Sequence, residues 1–518
     1  MRKFAFIHLV LFLIIALFAE NPWPYLLLTV AQIVYVPIAL KMVMQRTEWL
    51  SKYYYYFSIP AYLSIALLQT TNLFPVFFAS IYFAFTICIA LLGLTRFLKR
   101  GFTNIEEFAI DLAMMYIALG GAWYFAYVAD IDTGFTPLLT WLTAIHFHYS
   151  AFLLPLFIGF LGRLSKPRSY NFYSGLLLIA PMIVAIGITF SRWIELFSVL
   201  LYIVGLAGII MASWRTTFAN RLQKSFVVLS FTSLAVTIAF SLLYVLGNGF
   251  GLTSITIDFM LRFHGFLNCV VFALFGIVGW SLSVPIPVFQ LPTFPISQIR
   301  GKQSVTSLGK VGQHHGLVDD MELYNIKHVS PAVSDFYENT MDYRLHASVR
   351  WHRCFLPFAF IYSLISRKTE QINLPLHSRE VEMTGDILML DQQDRRKNTR
   401  AWVRKIGDRL TFLALYSHHQ NEFGRSFMNI ALPLPFSTMT GVLELNKIGE
   451  DLQLTSQKSN VESDAGTYLS FRWGTYFKLP IEENFLVREE SDGRLSAKHT
   501  MRIFLFPFLT IDYTIRKK

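Results

Sequence analysis

Titratable and amide side chains stand in the middle of two apolar runs of this sequence. The run TAIHFHYSAF contains His146 and His148, and the run DFMLRFHGFLNC contains His264 and Asn268. These groups donate and accept hydrogen bonds, and neutral imidazole also binds haem iron and transition metals. Because polar groups are costly in lipid, each is a candidate for a binding site or a proton path.

Helix geometry limits how these candidates can cooperate. Two residues along a helix differ by about 200°, so His146 and His148 point to opposite sides and are not expected to bind one ion together. His264 and Asn268 are four residues apart and share a face. At about 1.5 Å per residue, His264 reaches a depth close to that of His146. His264 is therefore the first partner to test for His146.

Three charged residues complete the candidate set. Asp258 and Arg262 are four residues apart and can pair near the outer boundary of their run. Asp111 lies about one turn into another apolar run, with Glu106 and Glu107 at its inner end. These carboxylates can serve the inner half of a polar path, or Asp111 can simply be an interfacial carboxylate paired with Arg100 or Lys99.

Three interpretations of this set stay open. The histidines can hydrogen-bond across helices and fix the packing. They can hold haem or a transition metal, with His146 and His264 as ligands, although haem-like histidine spacing on two helices is missing. They can instead line a polar cavity for a substrate, a lipid headgroup or protons.

The elements that carry these residues are predicted to be membrane helices. Residues 1–284 hold 16 of the 45 basic and 9 of the 34 acidic residues, so the first part is poor in charge and the second is ordinary. A span needs roughly 17–25 apolar residues. About ten segments qualify: 4–19, 24–44, 53–70, 74–95, 107–128, 137–161, 171–190, 194–213, 225–247 and 259–283.

Loop charges predict the orientation of this bundle. With a cytoplasmic N-terminus, the inner connections carry fourteen Lys and Arg residues, and the outer ones carry only Arg192. This bias predicts cytoplasmic N- and C-termini. The first segment is read as a retained helix; the alternative, a cleaved signal peptide, is disfavoured by Leu17 and Phe18 before Ala19.

The second part is predicted to be soluble and rich in β-structure. Residues 285–325 form a linker with many prolines and glycines, and 326–518 form the cytoplasmic domain. After a short helix from Ser330, the apolar segment 353–366 is either a helix packed on the sheet or an interfacial segment.

From about residue 375 the hydrophobic period is two, which predicts about ten short strands in an antiparallel meander or barrel-like sheet. Such a sheet can enclose a cavity for an apolar or lipid-like ligand, but a plain packed sheet is an equal alternative. Pro433 and Pro435 weaken one strand pair and suggest a mobile lip or an edge bend.

Several function classes lack their sequence signals. The three cysteines are isolated, and the adjacent pairs His314-His315 and His418-His419 are poor chelates on an extended chain. Nucleophile-elbow, phosphate-loop and zinc-protease motifs are absent from the sequence. Nucleic-acid binding is disfavoured because basic stripes with interleaved aromatic residues are missing.

Four stretches of the sequence carry a resemblance to a known family: TAIHFHYSAF, RFHGFLN, MNIALPLPFSTMTGVLEL and FLTIDYTIR. In these stretches the chain resembles the YndJ-like family of bacterial polytopic membrane proteins. The resemblance implies a multi-pass protein of the bacterial inner membrane with a cytoplasmic domain, and it marks His146, His148, His264 and Asn268 as family positions. The family is uncharacterised, so the resemblance implies no activity.

Three functions follow as hypotheses. The first is binding or transport of a small molecule or lipid in a histidine-lined cavity, with a lipid-binding cytoplasmic domain. The second is a membrane-embedded haem or metal protein with redox activity. The third is a sensor or scaffold with structural histidines. The sequence leaves open the ligand, the oligomeric state and whether the protein is an enzyme.

Overall fold

The computed structural model describes most of the chain. The residues it describes are 2–19, 22–71, 73–102, 104–252, 254–287, 314–324, 326, 329–369, 372–376, 379–389, 398–434, 437–460, 462–471, 476–491, 493–504 and 506–518. Most of the predicted linker lies outside these residues, as does Pro435. The chain divides into two compact units, a helical one of residues 1–97 and 104–289 and a second one of 98–103 and 290–518.

In the described residues, the helical unit contains ten long helices, which we number α1 to α10. In chain order they are Arg2–Phe18, Trp23–Val43, Trp49–Thr70, Pro75–Arg100, Ile105–Val128, Pro137–Leu164, Tyr170–Phe190, Arg192–Arg215, Arg221–Phe250 and Ile257–Leu282. Each coincides with a predicted span. Leu, Ile, Val and Phe supply the continuous apolar surface, and α2 and α6 are the most buried of the helices that qualify as spans.

The predicted number of spans was too high. Within the described residues, eight helices are long and apolar enough to cross a membrane, namely α2 and α4 to α10. Helix α1 has only 17 residues, which is short for a span. The first turns of helix α3 contain Lys52 and four consecutive tyrosines, which lower its apolar character. The length and the residue composition of a segment thus decide whether it is apolar enough to cross a membrane.

Three of the helices contain π-helical turns. These turns are Ala31–Tyr35 in α2, Tyr149–Leu153 in α6, and Met260–His264 followed by Leu267–Leu274 in α10. A π turn widens the helix and changes the direction of the side chains that follow it. Each lies within or beside a stretch that carries polar intramembrane residues, so the distortion takes part in placing them.

The described part of the second unit is built on twelve strands, β1 to β12. They are Tyr343–Trp351, Val381–Met389, Arg400–Ile406, Arg409–Gln420, Ser426–Pro433, Ser437–Ile448, Asp451–Thr455, Gly466–Phe471, Tyr476–Lys478, Ile481–Glu489, Leu495–Ile503 and Phe506–Lys517. Strand β1 was not among the predicted strands, although Leu345, Ala347 and Val349 alternate with more polar residues and are buried.

Ten of these strands close into an antiparallel barrel, which confirms the predicted fold class. The ring runs β1, β2, β3, β4, β5, β6, β7, β10, β11, β12 and back to β1. Strand β8 pairs with the first half of β6, and β9 extends β8 outside the ring. Closure pairs the backbone of the ring strands and removes the exposed edges of an open sheet.

The β5–β6 hairpin completes this closure. Pro433 ends β5 opposite Thr438, and the Leu434 amide donates to the Ser437 carbonyl at 2.8 Å. A proline at the last position of a strand costs little pairing because it ends the ladder. The stretch around Pro433 is thus the turn of a paired hairpin.

Packed side chains fill the described inner positions of the barrel. Helix α11, Pro331–Glu338, adds Val333, Phe336 and Tyr337 to this core. Burial raises the pKa of Tyr416 to about 12. The guanidinium of Arg404 lies 4.4 Å from the ring centre of Trp402 and 4.5 Å from that of Phe412. These contacts describe a filled core.

The predicted apolar segment near residue 360 is helix α12, Leu356–Thr369. One face packs through Ala359, Ser363 and Ser366, which are buried. The opposite face carries large apolar side chains that are exposed: Phe358, Phe360, Ile361, Leu364 and Ile365. The helix therefore combines a packed face with a large unpaired apolar face.

Candidate functional site

A cavity of about 260 Å³ lies inside the helical unit, between α2 and helices α5 to α10. Most of its wall is aliphatic or aromatic. A minority of polar residues interrupts this wall, chiefly His146, His264, Asn268 and Glu195. Cavities of this kind, apolar with a few convergent polar groups, are typical small-molecule sites. The volume is just below the usual range of roughly 300–1,000 Å³.

His146 presents one ring nitrogen to this cavity. The helix α6 is regular up to His148, and the Nδ1–H of His146 donates to the Leu142 carbonyl one turn earlier, at 2.7 Å. The ring is exposed although it lies inside the bundle, because it lines the cavity. A neutral ring with Nδ1 protonated carries its lone pair on Nε2, which is then a hydrogen-bond acceptor.

His264 is held in the same way from α10. Its Nδ1–H donates to the Thr237 carbonyl at 3.1 Å, and the Thr237 hydroxyl lies 3.0 Å from the Asn268 amide oxygen. Thr237 of α9 thus positions both polar residues of α10. Both histidines line the same cavity.

His148 faces away from the cavity. Its ring is fully buried, with Nδ1 donating to the Ala144 carbonyl at 2.8 Å and Nε2 accepting from the Tyr82 hydroxyl at 2.8 Å. Gly120 permits this packing, because a β-carbon there would lie 2.8 Å from Nδ1. Both ring nitrogens are occupied, so His148 fixes α6 against α4 and α5.

Asp258 and Arg262 form the predicted pair at the start of α10, with Arg262 Nε 2.9 Å from Asp258 Oδ1. Both side chains are well exposed and neither lines the cavity. An exposed pair of this kind contributes little to stability. The structure separates these two residues from the histidines.

Asp111 belongs to a buried ion-pair network at the other end of the bundle. Arg96 lies 3.2 Å from Asp111 and 3.6 Å from Glu48. Arg163 binds Glu107 through two bonds, at 2.6 and 2.8 Å. Asp111 therefore does not line the cavity. Its position matches the alternative of a paired carboxylate, and Arg96 of α4 is a partner that the structure shows.

Glu195 is a cavity residue that the sequence reasoning missed. It is buried at the start of α8, and its carboxylate accepts from Arg192 at 2.7 Å. Gly187 of α7 allows close approach, because a β-carbon there would lie 2.5 Å from the Glu195 nitrogen. The signal that could have identified Glu195 is its position as a lone acidic residue in an apolar segment.

Tyr149 is a second missed residue. It begins the π turn of α6, and its hydroxyl lies 2.7 Å from the Leu27 carbonyl and 2.9 Å from Cys269 Sγ. It links α2, α6 and α10 beside the cavity. Tyrosine is common in membrane helices, so its type alone gave no signal.

The site can exchange hydrogen bonds with a bound molecule. Among the described residues, no group of three or more His, Cys, Asp or Glu side chains is arranged to hold a metal ion. Two acceptor nitrogens, an amide and a carboxylate next to an aliphatic wall favour a molecule with a polar and an apolar part.

Comparison with known proteins places this architecture in a family. The uncharacterized membrane protein YndJ of Bacillus subtilis (strain 168) is 36% identical over 458 residues, which cover 85% of this chain and 83% of the relative. The chain belongs to the YndJ-like family. It is a multi-pass membrane protein. A family profile described as YndJ-like protein matches residues 26–272.

The extent of these matches is informative. The YndJ-like profile covers α2 to most of α10 and so contains every helix that lines the cavity. The match to the Bacillus subtilis relative is longer than the helical unit and therefore extends into the β-barrel unit. No solved structure matches the chain.

Proposed function

We propose that this YndJ-like protein binds, and moves within the membrane, a small amphipathic molecule or lipid whose polar group donates hydrogen bonds. The observation that supports the proposal is that His146 and His264 form the same kind of hydrogen bond. Each ring uses Nδ1–H for a backbone carbonyl, which leaves Nε2 as an acceptor at one cavity. A ligand hydroxyl or amine satisfies these acceptors, and the aliphatic wall covers the rest.

The depth of the cavity along the helices supports a ligand that enters from the lipid bilayer. His146 lies nine residues after the first residue of α6, which corresponds to about 14 Å along the helix. With the orientation proposed from the loop charges, this end faces outward and both termini are cytoplasmic. The ligand would then enter from the outer half of the bilayer.

Replacing the cavity histidines should remove the ligand without unfolding the protein. We expect His146→Phe and His264→Phe each to lower the amount of co-purified ligand at least tenfold, because phenylalanine fills the space but lacks Nε2. Native mass spectrometry of full-length protein in nanodiscs measures this amount. His352→Phe, at an exposed histidine of the second unit, is the matched control.

Two results would contradict this function. The first is a loss of ligand in the phenylalanine variants that is no larger than their loss of thermal stability explains. The histidines would then have a structural role only. A Soret band or a stoichiometric transition metal in the purified protein, lost in the same variants, would favour the haem or metal function instead.

The exposed face of α12 supports a second part of the proposal, that the barrel unit rests on the bilayer surface. Phe358, Ile361 and Ile365 are spaced for one helix face and are all more than half exposed. Arg353 precedes the helix, and Arg367 and Lys368 lie at its end in the sequence. An apolar face with flanking cations suits an interfacial helix at an anionic leaflet.

Spin labels on α12 should report contact with lipid. In full-length protein with Cys354→Ser, nitroxides at Phe358→Cys and Ile361→Cys should be more accessible to oxygen than to a nickel chelate. A label at Glu450→Cys, an exposed polar site on the same unit, should show the reverse. Equal nickel accessibility at 358 and 450 in anionic bilayers would disprove the contact.

A further inference from the structure

A second cavity, of about 350 Å³, lies on the other side of the helices that wall the first one. Residues that are neighbours in the sequence line different cavities: Leu27 and Leu142 line the first cavity, whereas Leu28 and Trp141 line the second. The second cavity extends to Asp130, which follows the end of α5. It is separate from the site proposed above, and the inference below does not depend on that function.

Gln32 is the decisive residue of the second cavity. It lies in the π turn of α2 and has no exposed surface. Neither its amide nitrogen nor its amide oxygen has a partner among the described residues. A buried amide without partners destabilises a protein, and more so inside a membrane, where water is scarce. A bound molecule that offers both a donor and an acceptor would satisfy it.

Other lining groups repeat this chemistry. The Gln69 amide oxygen is also buried without a partner, and Thr29 is a buried hydroxyl residue. Asp130 adds a carboxylate, and no lysine, arginine or histidine is among the described residues that line the cavity. Without a cation, the cavity does not suit phosphate or another anion.

Aromatic rings form the remaining part of the wall. Tyr25 and Trp141 pack in a tilted arrangement with ring centres 4.6 Å apart, and Tyr124 and Tyr127 also line the cavity. Aromatic rings next to amides would also accommodate an organic cation. A cation, however, offers no acceptor to the Gln32 amide nitrogen, whereas a hydroxyl offers both a donor and an acceptor.

We propose that this cavity binds an uncharged ring with several hydroxyl groups, that is, a sugar. Gln32 and Gln69 bind its hydroxyls, and the aromatic rings cover its C–H faces. The sugar can be free in solution or can be the headgroup of a glycolipid. The two sources share this recognition chemistry and differ in whether an acyl anchor raises the affinity.

The test uses full-length protein in nanodiscs prepared without glycoside detergents, because these carry sugar headgroups. Saturation-transfer NMR with D-glucose measures binding of the free sugar. Nanodiscs with and without monoglucosyl diacylglycerol measure competition by a glycolipid. Displacement of glucose by the glycolipid, or glycolipid binding alone, identifies the lipid source; glucose binding without displacement identifies the free sugar.

Gln32→Leu separates a ligand contact from a packing role. Leucine removes a buried amide that has no partner, so the variant should unfold at the same or a higher temperature. It should nevertheless weaken sugar binding at least tenfold, and Gln69→Leu should weaken it by a smaller factor. Gln45→Leu, which removes an exposed amide outside the cavity, should leave binding unchanged.

Three results would overturn the proposal. The first is that neither glucose nor the glycolipid binds to the wild-type protein. The second is that Gln32→Leu binds the sugar as well as the wild type does. The third is that tetramethylammonium, an organic cation without a hydroxyl group, displaces the sugar signal at a lower concentration than the sugar itself needs. None of these results bears on the ligand of the histidine cavity.

Discussion

Glu107→Gln should be among the most destabilising single substitutions in the helical unit, at a cost of about 3–5 kcal/mol. Glu107 is fully buried and receives both guanidinium bonds of Arg163, with Arg96 3.9 Å away. The neutral amide leaves buried positive charge without its counter-ion. Thermal unfolding of the purified protein, followed by size-exclusion chromatography with fluorescence detection, should show a much lower midpoint.

Two further variants test the physical reason. Glu107→Leu combined with Arg163→Met removes both charges and should recover most of the lost stability, since an apolar pair avoids desolvation of ions. Asp258→Asn breaks an exposed pair and should change stability by no more than about 1 kcal/mol. If the double variant were as unstable as Glu107→Gln, uncompensated charge would not be the cause.

Gly208→Leu should disrupt the packing of α7 against α8. A β-carbon at Gly208 would lie 2.1 Å from the Tyr173 ring, so the ring or the helix must move before any larger side chain fits. Overpacking of this kind costs about 1–3 kcal/mol or more. Small residues in membrane helices allow such close approach. The expected result is a lower unfolding midpoint and less folded protein.

Gly175→Leu is the matched control on the facing helix. A β-carbon at Gly175 would meet no atom within 4 Å, so the same substitution should be tolerated. Equal losses at both glycines would show that helix propensity or insertion, rather than the Tyr173 contact, controls the effect.

Some features of the candidate site followed directly from the order of residues. The regular turn of α6 separates His146 from His148 by about 200°, and the structure gives them different partners. The four-residue spacing of Asp258 and Arg262 produces a pair for the same reason. Spacing along one helix fixes which side chains share a face, and this relation needs no knowledge of the neighbouring helices.

Other features depended on contacts between distant segments. Thr237, 27 residues before His264, holds its ring, and Arg96 of α4 pairs with Asp111 of α5. Glu195 reaches the cavity because Gly187 lets α8 approach α7. Side-chain spacing assigns a face to a residue, but helix packing decides which neighbour that face meets.

By itself, the sequence determined the two-part plan, the place of each membrane helix and the β-rich second unit, because apolar runs and hydrophobic period are local properties. Only the tertiary structure decided that β5 and β6 close the barrel and that His146 shares a cavity with His264. It also decided that Gln32 lies buried without a partner beside a second cavity. These features depend on contacts between residues that are far apart in the sequence, and local sequence patterns do not predict such contacts.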